Sequence, residues 1–417
     1  MNRVAIVGGV RTPFVRAGGV FSEYSFVDLG IHSVVSLIKR YDLKPETVDE
    51  LVYGSVLYDP RLPNFAREIV LRSDIPNTIG AHSVSNNCIS SLVASNIIAE
   101  GISAGRIKTG IAGGSESMSR PTLTLKRSAE KFFIALSRAR TVPDRLKLLA
   151  SFRPGFIMPQ PPSPKEPSTG LTMGQHCELT TKEFNIPRQV QDELALKSHK
   201  LAAMAKEKGY LSQEIEPLGR AKDDNVIRAD TTIEKLSGLK PVFDRSDKGS
   251  LTAGNSSALT DGASAVLLMS EEEARKQNRE ILGFIAGTEY AALSPDDGLL
   301  MAPAVALPKL MKKHDLTVAD IDRFEVHEAF AAQLAANLQA WENGWDKVKG
   351  AEAIGKIPDE KLNVNGGSVA IGHPFAATGG RLILSLVNEL KRSNLSTGVI
   401  SVCAAGGMAC AMLIKRE

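Results

Sequence analysis

Four short segments carry the side chains that could do chemistry: Cys88, His373, the pair His327 and Glu328, and Cys403. Cys88 lies in Ser85-Asn86-Asn87-Cys88-Ile89-Ser90-Ser91, where small polar residues precede an apolar helical pattern. A thiol at a helix N-terminus meets free backbone N–H groups and the positive end of the helix dipole, which stabilise a thiolate. The same N–H groups can hold a developing oxyanion. The setting equally suits a buried cysteine under a helix cap. His373 sits in Gly366-Gly367 … Gly372-His373-Pro374 … Gly379-Gly380, where glycines let backbone and ligand come close and Pro374 stiffens the turn. A histidine held there can deprotonate a thiol, or serve as a hydrogen-bonded structural residue. His327 and Glu328 stand at a strand-to-helix junction, a favoured place for functional groups in α/β folds. They are not an HExxH zinc motif, because position 331 is Ala. Cys403 ends an apolar run before Ala404-Ala405-Gly406-Gly407, and a second thiol near the first could carry a proton to or from carbon.

These side chains need a scaffold, and the surrounding pattern predicts an α/β fold with a mostly parallel sheet. Residues 4–10, 51–57 and 107–113 read as strands, and 26–41 and 89–105 as helices. The C-terminal part repeats the grammar. Strands are predicted over 281–287 and 323–327, helices over 304–314, 330–342 and 380–391, and the apolar stretch 399–414 reads as two strands joined by a turn. Each half ends in a strand followed by Gly-Gly, at 113–114 and 406–407, which suggests two related halves.

Composition narrows the function classes. The chain has 417 residues, 43% of them apolar and 23% charged, as in ordinary globular domains. Fifty basic against 47 acidic residues leave a net charge of +3, so no nucleic-acid footprint is present. Four cysteines without a CxxC pair argue against a zinc ribbon, a thioredoxin-type site or a disulfide scaffold, and no metal site is expected. Cys177 and Cys410 read as core. Asn2-Arg3 lead directly into an apolar strand and not into a signal-peptide core, so a cytoplasmic location is the expectation.

Residues 119–249 differ in character. Between Lys126 and Arg153 lie eight basic residues, opposed only by Glu130 and Asp144, with Phe132, Phe133, Leu136, Leu146, Leu149 and Phe152 interleaved. This pattern fits a solvated helix pair, or a surface that meets an anionic membrane or a partner subunit. A Pro-rich stretch over 159–167 follows, then a long helix over 189–210.

Taken together, the motifs resemble the thiolase superfamily over nearly the whole chain. Val4–Phe14 is similar to its opening strand and Arg-Thr-Pro turn, Asn87-Cys88 to its nucleophile segment, and Gly113–Ser119 to its Gly-Gly-x-Glu-x-Met-Ser block. Gly254–Ala263 and Gly372-His373-Pro374 match two further blocks. The resemblance implies two βαβ-type halves in a layered αβαβα arrangement. Residues 1–120, completed by 250–270, would form one half and 271–417 the other, with a loop domain at 121–249. It also implies thiolytic chemistry on acyl-coenzyme A. Cys88 would be the nucleophile, His373 its base, and Cys403 the acid or base at carbon. A water held by His327, with His373 Nε2, would form one oxyanion hole, and the backbone N–H groups of Cys88 and Ala405 the second. No cofactor is bound permanently; coenzyme A is a substrate, with Met173, Lys240, Ser257 and Phe330 implied as contacts.

Departures point to one branch. His327 replaces the usual Asn, and Ser91, Ala376 and Ala404-Ala405 depart from the common forms. With the basic insertion, they resemble the β subunit of fatty-acid-oxidation trifunctional complexes, which cleaves 3-ketoacyl-CoA. The implied partners are a second copy in a homodimer, an α subunit bearing hydratase and dehydrogenase in an α2β2 complex, and a peripheral membrane contact. A biosynthetic acetoacetyl-CoA thiolase and a ketoacyl-synthase-like condensing enzyme are the alternatives.

Overall fold

The computed structural model describes residues 2–417. In chain order the strands are β1 (Val4–Arg11), β2 (Glu50–Gly54), β3 (Gly80–Val84), β4 (Thr109–Glu116), β5 (Thr260–Ser270), β6 (Gly283–Ala292), β7 (Arg323–Val326), β8 (Thr397–Ala404) and β9 (Met408–Lys415). The principal helices are α1 (Phe26–Arg40), α2 (Phe65–Leu71), α3 (Ser90–Ser103), α4 (Arg127–Arg138), α5 (Val142–Ala150), α6 (Met173–Glu183), α7 (Arg188–Glu207), α8 (Pro303–Lys313), α9 (Ala331–Asn343) and α10 (Thr378–Arg392).

The strands form one sheet in the order β3-β2-β4-β5-β1-β6-β9-β8-β7, with the short Val15–Arg16 strand added to β5. Numbered within its own half, each half follows one order. β1 to β5 run 3-2-4-5-1, and β6, β7, β8 and β9 take the first, second, fourth and fifth places in mirror image. The third place in the second half is held by a single parallel bridge between Phe324 and Leu362. The halves meet where β1 pairs with β6.

The expectation of a mostly parallel sheet is corrected. Only β2–β3, β2–β4 and β7–β8 are parallel. The centre is antiparallel, through β4–β5, β5–β1, β1–β6, β6–β9 and β9–β8. β9 follows β8 after a tight turn, and such a turn can only reverse the chain. β5 arrives antiparallel after the long excursion of 117–259.

Apolar burial makes the layers. α3 and α10 share one core with both half-sheets: Leu92, Ile98, Leu382 and Leu386 pack with Val52 and Val266 of the first and Ile400 and Met412 of the second. α1 and α2 cover the outer face of the first half through Val27, Val34, Phe65 and Ile69. α8 and α9 cover the second through Leu307, Leu310, Leu334 and Trp341. The layers are therefore helix, sheet, helix, sheet, helix, with α10 buried along nearly its whole length and α3 exposed only along the edge that carries Glu100. That explains α10: its stripe of Leu382, Leu386 and Leu390 is flanked by Ile383 and Val387, and all five are buried. The segment 117–259 contributes α4 to α7 and no strand to this sheet.

Candidate active site

The N-termini of the two central helices lie against each other, and this contact assembles the site. Glycine makes the approach: a Cβ at Gly379 would stand 2.6 Å from Leu92 Cγ and 2.8 Å from Ser91 Oγ. Gly380 N–H donates to Ser91 Oγ at 2.9 Å, joining α10 to α3. Gly372 has φ +110°, a conformation open to glycine, and lets the chain turn into His373 over the Thr260 side chain.

Cys88 immediately precedes the N-cap of α3. Asn87 holds the left-handed conformation at φ +49°, which Asn tolerates, and its Nδ2 donates to Ala405 O at 2.9 Å. The Cys88 loop is thereby tied to the β8–β9 turn. The backbone N–H groups of Ala405 and Cys88 are directed at Cys88 Sγ. His373 Nε2 lies 3.2 Å from that sulfur. His373 Nδ1 lies 2.7 Å from Thr378 Oγ1, and its backbone N–H donates to Thr260 Oγ1 at 2.8 Å. With Nδ1–H donated to Thr378, Nε2 is left as the acceptor for a thiol proton.

The electrostatics correct the expectation that the helix terminus depresses the thiol. Burial pushes Cys88 up to about 12 despite those N–H groups, and the buried Glu116 carboxyl adds to the rise. Burial pushes His373 down to about 3. The resting pair is a neutral thiol beside a neutral imidazole, and a thiolate forms only as the proton crosses to His373. Cys88 keeps partial exposure to solvent, whereas His373, His327 and Cys403 are buried.

Cys403 lies near Cys88 and also near Cys177. Burial, followed by both neighbouring thiols, pushes it well above the ordinary range. It shares an apolar cluster with Phe330, Leu299 and Leu300, against which Met173 and Phe243 pack. Cys177 and Cys410 are buried. Cys177 is thus core and also a neighbour of the site.

The His327 ring lies 4.1 Å, centroid to centroid, from that of His373, tilted by 46°. Its Nδ1 is 2.8 Å from Ser368 Oγ. Glu328 is engaged by other groups. It accepts from Ser198 Oγ at 2.7 Å, Asn363 Nδ2 at 2.8 Å and the Val369 N–H at 3.1 Å, and so braces the 363–369 loop. Among the four residues of the coenzyme A reading, Phe330 is buried and stacks edge-on with Phe243 at 5.6 Å. Met173 and Ser257 are half-buried, and Lys240 is exposed. The Ser257 N–H donates to Ala329 O at 3.0 Å, beside Phe330.

Several supporting residues escaped the sequence reading. Thr378, Ser368 and Arg381 all lie in or beside the Gly-rich segment of His373, but nothing in their spacing assigns a partner. Glu116 is buried under the site. It accepts from the Leu57 N–H at 2.8 Å, the Val56 N–H at 3.1 Å, Ser55 Oγ at 3.2 Å and the Ala376 N–H at 3.3 Å, and burial raises it to about 7. It joins β4, the loop after β2 and the His373 loop. No group of His, Cys, Asp and Glu suited to a metal occurs among the described residues.

The arrangement can activate a thiol, hold an oxyanion with backbone donors, and shuttle a proton through a second thiol. Comparison with known proteins gives the family. A model of the thiolase N-terminal domain matches residues 4–272, and one of the thiolase C-terminal domain matches 279–416. A 3-ketoacyl-CoA thiolase of Klebsiella pneumoniae (strain 342) is 41% identical over 428 residues, covering 100% of this chain and 97% of the relative. One of Vibrio cholerae serotype O1 is 41% identical over 425 residues, covering 100% and 98%. The solved Bacillus anthracis acetyl-CoA acetyltransferase superposes with a TM-score of 0.83 at 32% identity, covering 100% of this chain and 99% of that one. With the two family models matching residues 4–272 and 279–416 and relatives 41% identical across the whole chain, the chain belongs to the thiolase family.

Proposed function

We propose that this protein is a 3-ketoacyl-CoA thiolase, an acyltransferase that uses coenzyme A to cleave 3-ketoacyl-CoA into acetyl-CoA and a shortened acyl-CoA, as in fatty-acid β-oxidation. The observation that carries the reading is the Cys88 thiol 3.2 Å from His373 Nε2 with a second thiol, Cys403, beside it. One thiol suffices for acyl transfer; carbon–carbon cleavage needs a further proton donor at carbon.

Cys88 Sγ attacks the 3-keto carbonyl while its proton passes to His373 Nε2. Oxygen charge develops against N–H donors already in place. Collapse breaks the bond between C2 and C3, and the electron pair leaves on C2 of acetyl-CoA. The Cys403 thiol protonates C2. Coenzyme A then attacks the Cys88 thioester, its proton restoring Cys403, and His373 returns its proton to Cys88 as the acyl-CoA leaves. Desolvation sets the resting protonation of both groups, while making Cys403 a weaker acid and His373 a weaker base than in water. The neutral Cys403 thiol is a proton source in an apolar wall, and the neutral His373 accepts. Met173, Lys240, Ser257 and Phe330 would line the coenzyme A path, with exposed Lys240 as a point charge for phosphate.

Thiolysis measured across 3-ketoacyl-CoA chain lengths tests this, with intact-mass detection of the acyl adduct on Cys88. Activity on long and medium chains supports it, and an adduct persisting in Cys88→Ala refutes the nucleophile. The likeness to an acetyl-CoA acetyltransferase favours a second reading, in which only acetoacetyl-CoA is used. A rate confined to that substrate would select it.

The partners belong to the same proposal: a homodimer, and an α subunit carrying hydratase and dehydrogenase, in the cytoplasm. Residues 126–156 are read as a docking arm for an anionic membrane surface. Val142, Leu146, Leu149 and Phe152 are exposed among the basic side chains, as are Ile157 and Met158 just beyond the segment, and Phe152 packs with buried Phe132 and half-buried Phe156. No helix among the described residues is long and apolar enough to cross a membrane.

A further inference from the structure

We propose that Ser368 and Arg381 lock His327 as its Nε2–H tautomer, so that this imidazole faces the site as a hydrogen-bond donor. A proton count carries it. Arg381 Nη2 donates to Ser368 Oγ at 2.8 Å, and the same oxygen lies 2.8 Å from His327 Nδ1. A guanidinium only donates. The hydroxyl has one proton to place, and among its two partners His327 Nδ1 is the only acceptor. With Nδ1 accepting, every proton of the trio is placed, whereas the opposite tautomer would leave the Ser368 hydroxyl proton without an acceptor among the described residues. A neutral imidazole has a single N–H, which must then sit on Nε2.

Two independent observations agree. His327 is completely buried, and its Nε2 has no hydrogen-bond partner among the described residues. Buried donors are normally paired, so an orphan at a functional site calls for an explanation. A thioester oxygen arriving beside Cys88 supplies the missing acceptor. Burial, then His373 and Arg381, also keep this ring neutral, as a fixed tautomer requires.

The neighbouring ring is held the opposite way. His373 gives Nδ1–H to Thr378 and turns bare Nε2 to Cys88. Two imidazoles 4.1 Å apart thus divide the work: one accepts the thiol proton, the other donates to oxygen. Arg381 is itself buried, with Glu325 Oε2 3.8 Å from Nη1 and Glu214 and Glu328 nearby as countercharges. Ser368 and Arg381 are positioning residues, since they act through His327.

The tautomer stands by itself; its use as an oxyanion donor rests on the acyl-transfer reading above. The test is nitrogen NMR of the full-length protein with labelled histidine, assigning His327 by its loss in His327→Asn. The expected spectrum has a protonated Nε2 and a bare Nδ1, and a protonated Nδ1 overturns the proposal. Ser368→Ala should abolish that single-tautomer signature and lower kcat about tenfold to hundredfold, a part of what losing a whole oxyanion donor costs, with little change in KM. In a His327→Asn background the same substitution should cost nothing further, because the group it orients is gone. Equal losses in both backgrounds make Ser368 a packing residue and overturn its positioning role. Wild-type protein without thiolysis would overturn the functional reading alone, since the tautomer is read from the unliganded protein. The wild-type spectrum decides even where Ser368→Ala fails to fold.

Discussion

Thr378→Val is the sharpest perturbation of the Cys88–His373 pair, because it changes a hydroxyl to a methyl at nearly constant volume. Thr378 is completely buried, and its Oγ1 lies 2.7 Å from His373 Nδ1. Valine leaves the Nδ1–H without an acceptor. A hydrogen bond from a neutral ring nets about 1 kcal/mol, and one from a charged ring about 1.5–3 kcal/mol. Only the difference, about 0.5–2 kcal/mol, acts on the rate of acylation, because His373 gains its charge as it takes the thiol proton. At about 1.4 kcal/mol per decade that is roughly twofold to thirtyfold. A second cost adds to it. Without Thr378 the neutral ring is free to carry its proton on Nε2, where it cannot accept from Cys88. The expected loss is therefore about tenfold to hundredfold. Quenched-flow mass spectrometry of the first turnover, with a saturated acyl-CoA as donor, isolates acylation from carbon–carbon cleavage. A thermal melt run in parallel checks that the fold survives. Acylation within twofold of wild type in a folded Thr378→Val protein would refute the reasoning.

Other outcomes follow from the same site. Cys403→Ala should still accept an acyl group from a saturated acyl-CoA, yet lose at least about a hundredfold in cleavage, the lower range for general acid–base catalysis; near-normal thiolysis removes Cys403 from the proton path. Alkylation of Cys88 by iodoacetamide should be nearly independent of pH between about 5 and 9. Burial lowers His373 to about 3 and raises Cys88 to about 12, so the pair holds one shared proton throughout that window. A rate that climbs tenfold per pH unit there would indicate an unpaired thiol. Deleting 126–156 should leave thiolysis intact and abolish binding to anionic vesicles; loss of α-subunit co-purification instead would reassign the arm, and unchanged binding to both would make it a plain solvated insertion.

Much of the scaffold was legible in residue pattern. The helices predicted over 89–105, 330–342 and 380–391 are Ser90–Ser103, Ala331–Asn343 and Thr378–Arg392, each within a few residues, because apolar periodicity records which face of a helix is buried. Strand direction was not legible. A strand reads the same in either direction, so the antiparallel centre around β1 and β5 emerges only from pairing. β3 was missed because its Gly-Ala-His-Ser-Val sequence lacks a strong apolar alternation.

The sequence by itself determined that Cys88, His327, His373 and Cys403 were the groups to watch, since thiols and imidazoles in glycine-rich, small-residue settings are few in this chain. Only the tertiary structure decided their states. Cys88 and His373 are 285 positions apart and become a 3.2 Å pair because two central helices touch through Gly379 and Gly380. The helix N-terminus beside Cys88 suggested a stabilised thiolate, yet desolvation outweighs the nearby backbone N–H groups and raises the thiol. Ser368, Thr378 and Arg381 assign each imidazole its proton, and hydrogen-bond direction belongs to neighbours in space, which order along the chain does not record.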